Sequence, residues 1–181
     1  MLTVGDKLPE FSVVAAKPKF NMPEENGESA FETIDNSSFA GKWKIIFFYP
    51  KDFTFVCPTE IVEFAKLNED FADRDAVVMG GSTDNEFVKL AWRREHPDLD
   101  RLNQYSFADD GSLVDGLGVR DKAENVALRA TFIVDPHNVI QHVSVNNLNV
   151  GRNPAEIVRI LDGLQTDELC PCNRALGGDT L

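Results

Sequence analysis

The strongest constraint on the fold is an alternation of short apolar runs with amphipathic segments. Residues 42–50 (KWKIIFFYP) are rich in Ile, Phe and Tyr and end in a proline, which is typical of a buried strand. Residues 75–81 repeat this strand pattern, and 82–97 predict a helix with Asp84 as its N-cap and Phe87 on its apolar face. Between the two strands, apolar side chains recur at helical spacing, at Ile61, Phe64, Leu67 and Phe71.

The C-terminal half adds a hairpin and one more helix. Residues 128–145 hold two β-branched runs around an Asp-Pro-His-Asn turn, which predicts a hairpin. Residues 153–165 predict a helix with Asn153 as N-cap and Glu156 completing a capping box. The resulting order is strand, helix, strand, helix, strand, strand, helix. That order predicts an α/β protein with a thioredoxin-like fold, a central mixed β-sheet flanked by helices, with further segments before residue 42 and between 97 and 128.

The chain has 181 residues, which is enough for one domain with a hydrophobic core. We expect residues 1–165 to form that domain. The last segment, 166–181, shows little periodicity and is rich in Pro, Gly and Asp, so it is expected to form a mobile C-terminal arm.

Charge and composition exclude several classes of function. The formal net charge is −12, and no basic stripe interrupts it, which argues against nucleic-acid binding. No apolar run approaches the length of a membrane span, and the N-terminal segment does not resemble a secretory signal. Three cysteines are too few, and an odd number, for a secreted disulfide framework. We therefore expect a cytoplasmic protein whose cysteines are buried, metal-bound or catalytic.

Cys57 lies where the first strand pattern gives way to the first helix. A single cysteine is most often an inert, buried residue, and its type alone favours that interpretation. Its position favours chemistry, because the free N–H groups at a helix N-terminus stabilise a thiolate, the nucleophilic form of cysteine. Thr54 stands three residues earlier, and Pro50 stiffens the entry to the loop. The three histidines are remote in sequence, and His137 and His142, on the hairpin, are expected to be solvated.

Two further thiols, Cys170 and Cys172, stand in the C-terminal segment as a Cys-Pro-Cys motif. They form either a structural or metal-binding pair, or thiols that exchange with a partner sulfur. A structural zinc site typically needs four ligands, and this segment has no histidine and no third cysteine. Exposed, mobile thiols suit disulfide exchange better, and no metal or other cofactor is expected.

These motifs resemble those of a known family. Residues 50–57 (PKDFTFVC) match the P-x-x-x-T-x-x-C signature of the peroxiredoxins. The segments GGSTDNEFVKLAW, LRATFIVDP and NVGRNPAEIVRILDGLQ resemble family segments in the same order. The Leu-Cys-Pro at 169–171 resembles the resolving-cysteine segment of the typical two-cysteine members. The resemblance covers essentially the whole chain and is strongest to the bacterial alkyl hydroperoxide reductase C branch, including actinobacterial forms with paired tail cysteines.

The resemblance implies roles for individual residues. Cys57 matches the peroxidatic cysteine, which a peroxide oxidises to a sulfenic acid, while Pro50, Thr54 and Arg129 match the residues that shield and polarise it. Cys170 matches the resolving cysteine, which forms a disulfide with Cys57 of another subunit. The family thus implies a homodimer that assembles into a decamer or dodecamer, a peroxide substrate, and a thiol or disulfide-reductase protein as electron donor.

Some alternatives stay open at this point. From its residue type alone, Arg129 is better explained by a salt bridge at a strand edge, with an acidic residue such as Glu60 as its partner. Cys172 is a second resolving thiol, a relay to the reductant, or a spare. A thiol–disulfide oxidoreductase on the same fold would need Cys-x-x-Cys, whereas Glu60 occupies the place of the second cysteine. A non-enzymatic oligomeric chaperone is the competing function outside redox chemistry.

Overall fold

A computed structural model describes residues 1–181 and contains eleven β-strands, five α-helices and one short 3₁₀ helix. The strands are β1 Ser12–Ala16, β2 Glu24–Glu25, β3 Glu28–Ser29, β4 Phe31–Asp35, β5 Trp43–Phe48, β6 Ala76–Ser82, β7 Tyr105–Ala108, β8 Arg120–Asp121, β9 Val126–Ala127, β10 Arg129–Val134 and β11 Ile140–Asn146. The helices are α1 Cys57–Lys66, α2 Asn68–Ala72, α3 Glu86–Glu95, the 3₁₀ helix Pro97–Leu99, α4 Ser112–Leu117 and α5 Pro154–Gln165.

Seven strands form one mixed sheet in the order β11-β10-β5-β6-β7-β1-β4. Strands β5, β6 and β7 are parallel neighbours, and the other pairs are antiparallel. The predicted βαβ unit and hairpin are both present, and the predicted mixed sheet with flanking helices is confirmed. The segments that the sequence pattern left outside the core extend this sheet: β1 and β4 come from residues before 42, and β7 comes from between 97 and 128.

Strand β5 is buried on both faces, which explains its continuous apolar sequence. Ile46 and Phe48 point into one hydrophobic cluster, which also holds Phe132. Phe47 points into a second cluster on the other face of the sheet, where its ring stacks on that of Phe64 with centroids 4.1 Å apart. Cys57 belongs to this second cluster, so α1 begins against the core of the protein.

Two details of the predicted helix α3 are wrong. Its N-cap is Asn85, whose side chain accepts a hydrogen bond from the Val88 N–H at 3.1 Å. The Asp84 carboxylate instead accepts a hydrogen bond from the Asp52 N–H, in the loop before α1. Phe87 is 60% exposed, and the buried face carries Lys89 together with Trp92. An analysis of apolar periodicity counts every lysine as polar and exposed. It therefore cannot show that Lys89 is buried in an ion pair with Asp52.

The capping of α5 is confirmed in part. The Asn153 side chain accepts from the Ala155 N–H at 3.2 Å, as expected of an N-cap. Glu156 does not complete the capping box, because its carboxylate pairs with Arg159 at 2.6 Å. No helix in this fold is long and apolar enough to cross a membrane.

Beyond Gln165 the chain has no further helix or strand, and the segment is held through one buried arginine. Arg174 Nη1 donates to Asp162 Oδ2 at 2.7 Å, and the Arg174 carbonyl accepts from Arg159 at 3.2 Å. Burial of Asp162 would raise its pKa, but hydrogen bonds from Arg174, the Gly177 N–H and Arg74 lower it overall. These contacts tie residues 174–177 to α5.

Two glycines on β6 lie directly against aromatic rings. A Cβ added at Gly80 would stand 2.3 Å from the ring of Phe47, and one at Gly81 would stand 2.3 Å from the ring of Phe107. Both rings are fully buried, so neither can move away freely. The small residues in this strand are therefore a packing requirement of the sheet.

Replacing Gly80 with alanine is expected to lower the free energy of unfolding by about 1–3 kcal/mol, because the new methyl group overpacks the core. Denaturant unfolding followed by circular dichroism measures the change. Gly163→Ala in α5 is the matched control, since its added methyl would meet only Cys170 Sγ at an ordinary 3.5 Å. Helix propensity predicts that this control gains about 1 kcal/mol. Wild-type stability in Gly80→Ala would contradict the packing argument.

Candidate active site

Cys57 is the first residue of α1, just beyond the C-terminal end of the parallel strand β5. Its side chain is buried, and the residue is 1% exposed. The N-cap residue, Val56, has no side-chain acceptor for the free amides of the first turn. The positive end of the helix therefore lies uncapped beside the sulfur, an environment that favours a thiolate.

Arg129, at the start of β10, contacts both Cys57 and Glu60. Its Nη1 donates to Cys57 Sγ at 3.4 Å and to Glu60 Oε2 at 2.7 Å, and its Nε donates to the Leu148 carbonyl at 2.7 Å. Arg129 therefore forms the salt bridge to Glu60 that its residue type suggests, and it also faces the sulfur as the family resemblance implies. The two interpretations are compatible, because the salt bridge orients the guanidinium toward the sulfur.

A second arginine, Arg152, completes the site and was missed by the sequence reasoning. Its Nε and backbone N–H donate to Glu60 Oε1 at 2.8 and 3.0 Å, and its Nη2 donates to Glu60 Oε2 at 2.7 Å. The guanidinium also lies over the rings of Phe47 and Phe64. Arg152 stands in a loop, immediately before the α5 N-cap, where no periodic pattern marks it. The one feature of the sequence that could have pointed to Arg152 is its place in NVGRNPAEIVRILDGLQ, a segment that resembles the peroxiredoxins.

The three charged groups leave the site one negative charge short of neutrality. Two guanidinium groups and one carboxylate sum to +1, and all three side chains are at most 5% exposed. An uncompensated charge is costly in a buried environment. A negative charge that develops on the sulfur or on a molecule bound beside it would therefore be balanced by this excess.

Cys57 and Arg129 face a cavity of about 350 Å³. Pro50 and Thr54 also line it, so the structure brings together four of the predicted site residues. The Thr54 hydroxyl donates to the Lys51 carbonyl at 2.9 Å, which leaves its oxygen lone pairs free to accept a hydrogen bond from a ligand. A small hydroxyl-bearing molecule in this cavity would meet the sulfur, a cation and an acceptor at once.

Cys170 and Cys172 lie elsewhere, exposed and beside a second cavity of about 990 Å³ between α5 and the C-terminal segment. The Cys170 sulfur is 3.6 Å from Thr166 Oγ1 and 3.7 Å from the Gly163 carbonyl oxygen. Neither thiol lines the cavity at Cys57, so a single copy of the chain does not bring the three cysteines together. No cluster of three or more His, Cys, Asp or Glu side chains is placed to hold a metal ion.

The histidines stay outside the site. None of the three lines the cavity at Cys57. His137 is exposed, as expected, but the expectation that His142 is solvated is wrong. His142 is half-buried on β11 with its Nε2 unpaired, and burial lowers its pKa.

Comparison with known proteins agrees with this geometry. The model of the AhpC/TSA family matches residues 4–143. The chain is 49% identical to alkyl hydroperoxide reductase C of Mycolicibacterium smegmatis, with 100% of this chain and 94% of that protein covered. The structure of Mycobacterium tuberculosis AhpC superposes with a TM-score of 0.86 at 45% identity, covering 94% of this chain and 97% of that one. The reduced Plasmodium vivax 2-Cys peroxiredoxin gives 0.87 at 30% identity, covering 99% and 92%. Sequence, fold and site thus agree that this chain belongs to the AhpC/TSA family of peroxiredoxins.

Proposed function

We propose that this thiol peroxidase reduces hydrogen peroxide and organic hydroperoxides through Cys57, in antioxidant defence and redox homeostasis. The observation that carries the proposal is the 3.4 Å contact between Cys57 Sγ and Arg129 Nη1 at a cavity walled by Pro50 and Thr54. The Cys57 thiolate attacks one peroxide oxygen and the O–O bond breaks. The sulfur is oxidised to a sulfenic acid, and the other oxygen leaves with a proton as water or an alcohol.

The surrounding residues act on this step electrostatically and by alignment. Arg129 is a permanent cation and stabilises the charge that develops on the peroxide oxygens. Its hydrogen bonds to Glu60 and to the Leu148 carbonyl hold it in place before the substrate arrives. Thr54 accepts the peroxide O–H and aligns the O–O bond with the attacking sulfur. Pro50 has no N–H and walls the cavity, which limits water beside the sulfur.

In the second step the Cys170 thiol of another copy attacks the Cys57 sulfenic acid, so a disulfide forms and water leaves. The family resemblance implies an intersubunit pairing, and the position of both tail thiols at a separate cavity within one chain supports it. The first turn of α1 must open, since Cys57 is 1% exposed. In this proposal residues 166–181 form an arm that carries the resolving thiol to a partner, while 1–165 form the peroxiredoxin domain.

The proposed assembly and electron donor are those that the family resemblance implies. A homodimer is the minimal unit that pairs Cys57 with Cys170, and it builds a decamer or dodecamer in the cytoplasm. A thiol or disulfide-reductase protein supplies two electrons and returns the disulfide to two thiols. Cys172 stands two residues from Cys170 and is equally exposed, so it serves as an alternative resolving thiol, a relay or a spare.

Cysteine variants test the proposed roles directly. Cys57→Ser is expected to abolish peroxide consumption, because a hydroxyl is a far weaker nucleophile than a thiolate. Cys170→Ser is expected to keep the first oxidation of Cys57 but to lose the cross-linked dimer on non-reducing electrophoresis. Cys172→Ser is expected to keep that dimer. A dimer that survives in Cys170→Ser and disappears in Cys172→Ser would reverse the assignment of the two tail thiols.

Arg129→Met is expected to slow the reaction of reduced enzyme with hydrogen peroxide about 10²–10³-fold, because it removes the cation that faces the reacting atoms. Single-turnover stopped-flow measurement of Cys57 oxidation gives the rate constant. Arg101→Gln is the matched control. It removes an exposed arginine that pairs with Glu25 at 2.9 Å, and neither residue lines the cavity, so the rate should stay within about twofold. An unchanged rate in Arg129→Met would remove this residue from the mechanism.

A further inference from the structure

The loop that walls the cavity, residues 50–54, is held from behind by a buried carboxylate. Asp52 is the one buried residue between 51 and 55, whereas Lys51, Phe53 and Phe55 are exposed. Phe53 has a left-handed backbone, with φ at +56°, which is unfavourable for an aromatic residue. The loop therefore combines a strained turn with a single inward-pointing side chain, and its position depends on what that side chain contacts.

Asp52 is held by Lys89, by Ser82 and, through its backbone, by Asp84. Lys89 Nζ lies 2.6 Å from Asp52 Oδ1, and the Ser82 hydroxyl donates to the same oxygen at 2.7 Å. The Asp52 N–H donates to Asp84 Oδ2 at 2.8 Å. These partners belong to the C-terminal end of β6 and the start of α3, so the loop is tied to two rigid elements.

Lys89 is an unusual residue to find in this place. The side chains of Lys89 and Asp52 are 0% and 1% exposed, and the ammonium group also contacts the Ser82 hydroxyl and lies over the Tyr49 ring. Burial lowers the pKa of Lys89 and raises that of Asp52. Isolating such a pair from water costs free energy that the attraction between the charges only partly offsets. Neither residue lines the cavity at Cys57, so the chemistry proposed above does not use them directly.

We propose that Lys89 is a positioning residue for the peroxide reaction, which acts through Asp52 to hold Pro50 and Thr54 at the distance from Cys57 that attack requires. The inference rests on the proposed function and adds a residue to it. A displacement of about 1 Å at an aligning group can cost about 10²-fold in rate. Lys89 therefore acts on the alignment of the peroxide, whereas Arg129 contacts the sulfur directly.

A positioning role predicts different effects on two measurable rates, the oxidation of Cys57 by peroxide and its alkylation by iodoacetamide. In Lys89→Met the rate of Cys57 oxidation by hydrogen peroxide is expected to fall at least about tenfold, because alignment by Thr54 is lost. Alkylation of Cys57 by iodoacetamide, followed by mass spectrometry of the Cys57 peptide, needs no such alignment and should change less than about threefold. Lys44→Met is the matched control. Lys44 is an equally buried lysine near the opposite end of β5, and its removal should leave both rates unchanged.

A second variant separates positioning from stability. Lys89→Met leaves Asp52 buried without its partner, so its thermal midpoint should fall. The double variant Asp52→Asn/Lys89→Met removes both charges and is expected to recover the midpoint while its peroxide rate stays low. Ser82→Ala keeps the ion pair but removes the hydroxyl between its members, and it should show a smaller loss of the same kind. If Lys89→Met does not fold, Ser82→Ala tests the positioning role in its place.

The outcomes that overturn the inference are distinct from those that overturn the proposed function. Wild-type peroxide rates in Lys89→Met or in the double variant, or equal losses of the peroxide and alkylation rates, would refute a positioning role for Lys89. If Lys89→Met does not fold, a wild-type peroxide rate in the double variant is sufficient to refute it. A wild-type protein that does not oxidise Cys57 with peroxide would instead refute the proposed function itself.

Discussion

The Glu60 carboxylate, shared by two arginines, is the interaction on which the site depends. Glu60 lies on α1, Arg129 begins β10, and Arg152 lies in the loop before α5, so one buried carboxylate joins three elements that are far apart in sequence. Each arginine also donates to one backbone carbonyl, Arg129 to that of Leu148 and Arg152 to that of Ala130. The arrangement fixes the distance between Cys57 and Arg129 and leaves the site with a net positive charge.

Two buried ionic networks lie near Cys57. The Glu60 network holds Arg129 against the sulfur. The Asp52 network holds the loop at residues 50–54, and in the proposed mechanism this loop aligns the substrate. Both are buried ionic networks, which contribute little to stability relative to well-packed apolar residues. Their value lies in geometry, because a hydrophobic core of equal volume would not fix the direction of a guanidinium or a hydroxyl.

An element or site residue could be predicted where a local sequence pattern determines it, and could not where residues distant in sequence do. Strands β5 and β6, helix α1 and the hairpin could be predicted because a continuous or periodic pattern of apolar residues indicates which of their side chains are buried. The short strand β7, the edge strand β4 and its neighbour β1 could not, because they are stabilised by neighbours distant in sequence. Cys57, Pro50 and Thr54 stand in one compact motif and were found together. Arg152 and Lys89 were not found, since each is buried by a partner that only the folded chain brings to it.

The uncapped start of α1 has a consequence for the order of events in the catalytic cycle. Glu60 neutralises one of the two arginines, and a Cys57 thiolate would balance the positive charge that remains. A sulfenic acid carries no such charge, so oxidation removes an electrostatic attraction between the first turn of α1 and Arg129. Val56 offers no side-chain cap to replace that restraint. Oxidation of Cys57 thus weakens the contact between α1 and Arg129, which is the contact that the proposed disulfide step would have to break.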